Sequence, residues 1–339
     1  MKPELDTSCA ICTGCTICIT RRVRIIAAIR RTPPLPYERN NCRGRHHLGR
    51  RQEGSLSHAL GRLMLLLVLL LLLLLVPTFG INAHAQDAPS DDAQPNLLER
   101  GPLSEDFERQ VRPRLDIPDA RARAYLLQLG AALGLAHTEM PAPKFVVLID
   151  RNTQVQAAIV FWGSPDTGWR LVGAAPVSTG LPGKYEHFLT PLGVFEHSRD
   201  SPDFRATGTK NKFGIRGYGR KDSRVYDFGW VASQRGWGDH SPGELRFQMH
   251  STDADFLAQR LGTAQSEGCV RIPALLNEFI DHYGILDQDY DRAVADGGHL
   301  WLLRADRAPT PWSGQLLVVV ESSDGTRPVW SPLPGKSSR

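Results

Sequence analysis

The sequence predicts a mostly β protein with a few packed helices, which is an α+β fold class. Between residues 144 and 251, runs rich in Val, Ile, Phe and Trp alternate with turns of Gly, Pro, Asn and Asp, a pattern typical of consecutive strands. Helical periodicity is confined to residues 104–135 and to PALLNEFIDHYGI at 273–285. Strands and helices are thus largely segregated along the chain, as in α+β domains.

Residues 1–62 form a leader of doubtful status. Cys9, Cys12, Cys15 and Cys18 have a C-x2-C-x2-C-x2-C spacing, similar to the iron–sulfur ligand run of bacterial ferredoxins. The last gap is one residue short of that run, however, and no Pro follows Cys18. We therefore favour a leader outside the working protein, with translation starting nearer to residue 63. An iron–sulfur redox protein is the alternative.

Residues 63–85 predict a secretory signal peptide. Arg62 precedes an unbroken run of 14 apolar residues, Leu63 to Val76, and Ala83-His84-Ala85 provides a cleavage site. The alternative is a membrane anchor, but a spanning helix needs about 20 apolar residues. We expect a protein of the periplasm or cell envelope that touches the membrane only if this segment stays uncleaved.

The positive charge of the whole chain comes from this N-terminal region. Residues 1–85 carry 12 Lys and Arg and 4 Asp and Glu, out of chain totals of 40 and 36. Residues 86–339 therefore carry 28 basic and 32 acidic residues, a net charge of −4. Basicity is then no argument for a nucleic-acid partner, and none is expected.

After the signal, composition divides the chain into four segments. Residues 86–103 are rich in Asp, Ala and Pro and predict a linker, and residues 104–140 predict a helical accessory segment. A catalytic domain is predicted at 144–305 and a C-terminal hairpin and tail at 306–339. The predicted strands lie in KFVVLID, QAAIVFW, WRLVGAAPVSTG, TPLGVFEHS, DSRVYDFGWV, ELRFQMHS, HLWLLRA from His299, GQLLVVVES and RPVWSP.

One cysteine remains after the signal, in AQSEGCVRI at 264–272. A cysteine without a partner in an oxidising compartment indicates either a disulfide partner outside the chain or a reactive thiol. The structural alternative is a buried, unreactive cysteine that packs as a small apolar residue. Its neighbours Glu267, Gly268 and Arg271 are a poor composition for a core. A thiol near backbone N–H groups and a cation is activated, and His250, at the end of a predicted strand, is the candidate base.

These residues resemble the L,D-transpeptidase catalytic domain of bacterial cell-wall enzymes. That family carries a His and, after a loop, Ser-His-Gly-Cys-x-Arg or Asn, and MHST…SEGCVR is similar to it. Upstream, VSTGLPGKYEHFLTPLGVF is similar to the family's Ser-Thr-Gly…Thr-Pro-x-Gly-x-Phe stretch. The resemblance covers residues 144–304. The matching residues of the two motifs are Thr179, Gly180, Thr190, Pro191, Gly193, His250, Ser251, Ser266, Gly268, Cys269 and Arg271.

The resemblance implies a β-sandwich-like catalytic domain and a role in peptidoglycan biosynthesis and cell-wall organisation. Cys269 would be the nucleophile, His250 the base, and the Ser251 carbonyl the group that orients His250. Ser266, Glu267, Gly268 and Arg271 would form the oxyanion and substrate-binding part of the site. The expected partners are peptidoglycan stem peptides, with a wall-anchored lipoprotein as a further possible acceptor. No metal or organic cofactor is expected.

One position departs from the family pattern. Glu267 stands where most members have histidine, and a carboxylate beside a thiol favours the protonated thiol unless a cation offsets it. One alternative is therefore a peptidoglycan-binding module that has lost catalysis. The other is a carboxypeptidase or amidase of the same fold, in which water replaces the acceptor amine and stem peptides are hydrolysed.

The remaining motifs are predicted to be structural. Four further histidines, His187, His197, His240 and His282, lack metal-site spacing and are expected to be surface or packing residues. The Gly-rich stretch KFGIRGYGRKDSRVY at 212–226 lacks the phosphate-binding strand-to-helix pattern. It is predicted to be a loop near the site.

Overall fold

The computed structural model describes residues 100–334, which fall within one compact unit. The predicted leader 1–62, the signal peptide 63–85 and residues 86–99 of the predicted linker lie outside the described residues, as do residues 335–339. The described part of the chain is a mixed α+β structure with two sheets and few helices, so the predicted fold class is confirmed.

Nine strands and four α-helices make up the described residues. The helices are α1 (Ser104–Gln110), α2 (Asp119–Leu135), α3 (Ala274–Tyr283) and α4 (Gln288–Ala295), with a 3-10 turn at Ala258–Arg260. The strands are β1 (Lys144–Asp150), β2 (Ala157–Ser164), β3 (Gly168–Pro176), β4 (Gly193–Glu196), β5 (Phe204–Arg205), β6 (Arg224–Gln234), β7 (Pro242–Ser251), β8 (Val270–Ile272) and β9 (Leu316–Val320). None of the helices described is long and apolar enough to cross a membrane.

The strands form two sheets. The five-stranded sheet has the order β3-β2-β1-β9-β4, in which β1 and β9 are parallel and the other neighbours antiparallel. The four-stranded sheet has the order β5-β6-β7-β8, and β7 and β8 are its parallel pair. The candidate histidine, His250, lies in β7 of this second sheet, and Cys269 immediately precedes β8.

The five-stranded sheet is covered on both faces, which explains why β1 is buried along almost its whole length. One face packs against the second sheet and α3 in a core that includes Val147, Phe247 and Phe279. The other face packs against α2, whose Tyr125 also donates a hydrogen bond of 2.6 Å to the buried Asp150. The helical segment at 104–140 thus supplies a layer of the fold.

The predicted strand at 299–305 is wrong. These residues lie in turns and irregular segments, and Trp301 is 73 % exposed. The nearby helix α4 was not predicted, because only Tyr290 and Ala293 of its eight residues are buried. A strand needs a partner, and the place between β1 and β4 is taken by β9. The run LLVVV of β9 is fully buried and competes better for that central position.

The predicted C-terminal hairpin is also wrong. Strand β9 pairs with β1 and β4, and the second predicted strand, RPVWSP, lies in turns in which Trp330 packs edge-on against Tyr125 at 6.3 Å. A run of apolar residues without alternation fits a central strand that is buried on both faces better than an outer hairpin. The five-stranded sheet therefore extends past the limit of residue 305 drawn from the sequence.

Two glycine substitutions test how the helices dock. A Cβ built on Gly173 in β3 would lie 2.2 Å from the Phe107 ring of α1, whereas one on the exposed Gly130 in α2 meets nothing within 4 Å. We expect Gly173→Ala to lower the free energy of unfolding by about 1–3 kcal/mol through overpacking. As the control, Gly130→Ala raises it by about 0.5–1 kcal/mol, because alanine is the better helix former. Urea denaturation measures both, and changes of the same sign would contradict this packing.

Candidate active site

The parallel pairing of β7 with β8 brings the two candidate catalytic residues together. In its register, Met249 faces Val270, His250 faces Arg271 and Ser251 faces Ile272, while Cys269 immediately precedes β8. Residues paired in register share a face, and residues two apart along a strand share a face as well. His250, Cys269 and Arg271 are thus expected on one face of this sheet.

The burial pattern shows that this face is the one turned away from the core between the sheets. The alternate residues of the two strands point into the core between the sheets, namely Leu245, Phe247, Met249, Val270 and Ile272. The opposite face carries Arg246, Gln248 and His250 of β7, together with Cys269 and Arg271. A polar face on strands whose other face is core is a plausible place for chemistry, because the core fixes the strand positions.

His250 is held as a neutral base. Its side chain is only 4 % exposed, and its Nδ1 lies 2.8 Å from the carbonyl oxygen of Ser251. A carbonyl only accepts, so Nδ1 carries the proton and Nε2 presents a lone pair. Burial, together with the positive charge of Arg271, lowers the pKa of His250 to about 4 against the opposing effect of the Ser251 carbonyl. At neutral pH the imidazole is therefore uncharged and able to accept a proton.

Cys269 lies beside the same strand. Its side chain is 4 % exposed, and its Sγ contacts the carbonyl oxygen of Arg246 at 3.8 Å. Because Arg246 lies four residues before His250 on β7, this contact places the thiol alongside the polar face.

The loop before Cys269 is fixed by its own hydrogen bonds. Ser266 is fully buried, and its Oγ donates to the carbonyl oxygen of Cys269 at 2.6 Å while accepting from the amide of Gly268 at 3.1 Å. Gly268 has a φ of +129°, and a Cβ there would lie 2.7 Å from Leu245. Glycine is thus required both by conformation and by space. The predicted substrate-binding residue Ser266 is used, in this structure, to brace the loop.

The two separated sequence motifs meet at this loop. The buried Thr190 donates from Oγ1 to the carbonyl oxygen of Gly268 at 2.7 Å and accepts from the amide of Gly180 at 3.0 Å. The amide of Thr179 donates to Gln156 Oε1 at 2.8 Å, which ties the first motif to the turn after β1. The upstream motif therefore holds the shape of the cysteine loop.

Glu267 and Arg271 flank the thiol along the chain. The half-buried Glu267 accepts, through its carbonyl oxygen, a hydrogen bond of 3.1 Å from the amide of Phe188. Arg271 exchanges two backbone hydrogen bonds of 2.9 Å with Ser178, and its Nη1 donates to the carbonyl oxygen of Gln265 at 3.3 Å. The guanidinium of Arg271 thus braces the loop, whereas the resemblance implied a substrate-binding role.

The predicted loop near the site is confirmed in position. Tyr218, from the Gly-rich stretch, packs its ring edge-on against His250 at 4.8 Å and donates its hydroxyl hydrogen to Gln248 at 3.2 Å. Next to it, Gly219 lies so close to Ser251 that a Cβ would approach its Oγ to 2.7 Å. The loop forms one wall around His250.

Sequence reasoning missed the polar residues beside His250. Gln248 donates to the buried Asp227 of β6 at 2.8 Å, and Arg246 donates from Nε to both oxygens of the same carboxylate at 2.9 and 3.1 Å. Counting back by two from His250 along the predicted strand would have found both residues, since alternate residues of a strand share a face.

The other predicted histidines have structural contacts. His197 is fully buried and pairs with Asp203 at 2.9 Å, while His187 and His240 contact the carbonyl oxygens of Tyr185 and Arg235. His282 packs edge-on against Tyr283 at 4.7 Å. Within residues 100–334, no group of three or more His, Cys, Asp or Glu side chains is arranged to hold a metal ion.

No protein-family model matches this chain, and no curated protein sequence matches it.

The buried histidine predicts a specific loss of stability in acid. The pKa of His250 is about 4 when folded and 6.5 in an exposed chain, so unfolding takes up a proton between these values and stability falls as the pH falls. We expect the depressed pKa of His250 to lower the free energy of unfolding by about 2 kcal/mol between pH 7 and pH 4.5. Denaturant unfolding at both pH values should show a smaller loss for His250→Asn than for the wild type. Equal losses would contradict a depressed pKa.

The Thr190 hydroxyl predicts a coupling between the two motifs. Thr190→Val removes both hydrogen bonds with little change in shape and leaves a buried amide and a buried carbonyl without this partner. The free energy of unfolding should fall by about 1–3 kcal/mol, and alkylation of Cys269 by iodoacetamide should accelerate as the loop loosens. The matched control is Thr207→Val, whose hydroxyl pairs with Thr209 at the surface, and it should change neither quantity. Equal effects of the two variants would disprove the coupling.

Proposed function

We propose that this protein is an exported cysteine acyltransferase of the L,D-transpeptidase type, with the β-sandwich-like catalytic domain of that family, acting on peptidoglycan stem peptides in the periplasm. The observation that carries the proposal is the neutral, oriented His250 on the same sheet face as Cys269. The imidazole is fixed by a backbone carbonyl, which takes the orienting role of the third member of a catalytic triad.

The first half of the reaction acylates the cysteine. His250 Nε2 takes the thiol proton as Cys269 Sγ attacks the carbonyl between the third and fourth residues of a tetrapeptide stem. The carbon–sulfur bond forms and the peptide bond breaks, and the proton from His250 passes to the departing amine of D-alanine. Because the resting imidazole is neutral, His250 acts here as a general base.

The backbone amide of Cys269 is the proposed oxyanion donor. An amide so placed typically stabilises the transition state by about 3 kcal/mol. The second expected donor, the amide of Gly268, is already bonded to Ser266 in this structure. Ser266 and Gly268 then contribute to the proposed mechanism by fixing the turn that aims the Cys269 amide.

The second half transfers the acyl group. An amine of a neighbouring stem, or of a wall-anchored lipoprotein, attacks the thioester carbonyl, an amide forms, and the thiol regains its proton through His250. Water as the acceptor gives a carboxypeptidase instead. No step needs a redox change, since every bond formed replaces one broken at the same carbonyl.

The proposal predicts a defined product mixture. Purified tetrapeptide muropeptide is incubated with the wild type, with Cys269→Ala and with His250→Ala, and the products are followed by mass spectrometry. We expect a dimer joined between third residues and released D-alanine from the wild type, no product from Cys269→Ala, and a rate at least about 100-fold lower for His250→Ala. The exposed His240→Ala is the matched control and should retain wild-type activity.

The other outcomes are equally specific. Release of D-alanine without a dimer would replace the transpeptidase by a hydrolase that uses the same site. No product from a folded wild type that still binds the muropeptide would indicate a binding module, and Glu267→His would then test whether Glu267 is the cause. No product and no binding would refute an action on stem peptides.

A further inference from the structure

We infer that Arg246 recognises the carboxylate of the residue that follows the scissile bond. This inference rests on the proposed function and adds the residue that would recognise the free C-terminus of the leaving D-alanine. Three observations support it. Arg246 lies on the same sheet face as the thiol, its guanidinium is positioned by Asp227, and the other arginine of this face, Arg271, makes contacts with the cysteine loop.

The position follows from the strand. Arg246 precedes His250 by four residues on the polar face of β7, and its carbonyl oxygen contacts Cys269 Sγ at 3.8 Å. Its side chain therefore leaves β7 on the face that carries the thiol, and its guanidinium lies at Asp227 of the neighbouring strand β6. In a peptide bound at Cys269, the C-terminal carboxylate of the leaving residue is only three bonds from the scissile carbonyl carbon, so it would lie over this same face.

A buried carboxylate positions the guanidinium. Asp227 is 1 % exposed and receives Arg246 Nε at 2.9 and 3.1 Å, while Gln248 and the amide of Gly229 donate to it at 2.8 Å. Among the described residues, Asp227 is the side chain that Arg246 contacts, and it engages Nε alone. Within residues 100–334 the two terminal nitrogens make no hydrogen bond, and the side chain is 40 % exposed. A guanidinium binds a carboxylate with two parallel hydrogen bonds, and pre-positioning lowers the entropy lost on binding.

The second arginine of the polar face has another contact. Arg271 Nη1 donates to the carbonyl oxygen of Gln265 and the Arg271 backbone pairs with Ser178 on the far side of β8. These contacts hold the cysteine loop. The simplest alternative role for Arg246 is to neutralise the charge of Asp227. A lysine at position 246 would neutralise Asp227 equally well, but it would not bind a carboxylate through two parallel hydrogen bonds.

The test compares two substrates in each enzyme. The tetrapeptide stem with a free C-terminal carboxylate and the same stem with a C-terminal carboxamide are incubated with full-length wild type, Arg246→Gln and Arg246→Lys. We expect the wild type to prefer the carboxylate by about 10- to 100-fold in kcat/KM. The preference should fall to within about twofold in Arg246→Gln and to an intermediate value in Arg246→Lys. The exposed Arg235→Gln is the matched control and should keep the wild-type ratio.

A ratio of two substrates in one sample does not depend on how much of a variant is folded, so a destabilised Arg246→Gln still gives a clear answer. Equal kcat/KM for the two peptides in the wild type, or an unchanged preference in Arg246→Gln, would overturn the role of Arg246 and leave the proposed function intact. Turnover of neither peptide by the wild type would overturn both.

Discussion

The pairing of β8 with β7 is the constraint on which the candidate site depends. Strand β8 has only three residues, yet it is bonded on both sides, to β7 by the parallel ladder and to Ser178 through two backbone hydrogen bonds of Arg271. Its Val270 and Ile272 are fully buried in the core between the sheets. A shift by one residue would move both into solvent and turn Arg271 into the core, so the register is strongly fixed. The same register sets the position of Cys269 relative to His250.

A buried ionic cluster fixes the start of β6, next to the strand that carries His250. Arg224 is fully buried and donates to Asp203 at 2.7 Å and to Asp287 at 2.8 Å, and Asp281 lies at 3.3 Å. These carboxylates come from the segment before β5, from α3 and from the start of α4. Buried ion pairs add little net stability, because desolvation offsets the attraction, but loss of one partner is costly. The cluster thus fixes one arrangement of these segments around β6.

Sequence patterns predicted an element correctly where one physical preference, either strand alternation or helical periodicity, was strong. The strands β1, β2, β3, β6 and β7 and the helix α3 were predicted because alternation or helical periodicity was strong. The strand predicted at 299–305 failed because pairing partners are set by the whole fold, and β9 took the available place. At the site, Cys269 and His250 were found from residue type and motif. Asp227 was not, since its relation to His250 arises from a cross-strand neighbour that no local pattern records. For Tyr218, only the loop that carries it was predicted to lie near the site.

Two buried histidines show how the fold sets opposite proton states in one residue type. Burial opposes a charge on both. For His197, the attraction and hydrogen bond of Asp203 outweigh burial, so its pKa is raised, and its stabilising contribution is present below pH 6.5 and lost as the pH rises through the raised value. For His250, the partner that opposes burial is the neutral carbonyl of Ser251, and the charge of Arg271 adds to burial, so its pKa is depressed.

The difference suits the role proposed for His250. A carboxylate beside His250 would favour the protonated imidazole and raise its pKa, as Asp203 does for His197. A carbonyl orients the ring equally well without supplying a charge. The cost is a lower stability between pH 6.5 and pH 4, where the unfolded chain binds a proton that the folded site excludes. Burial also lowers the pKa of His187, which has the same kind of backbone-carbonyl partner, so the feature that distinguishes His250 is its place on the sheet face that carries Cys269.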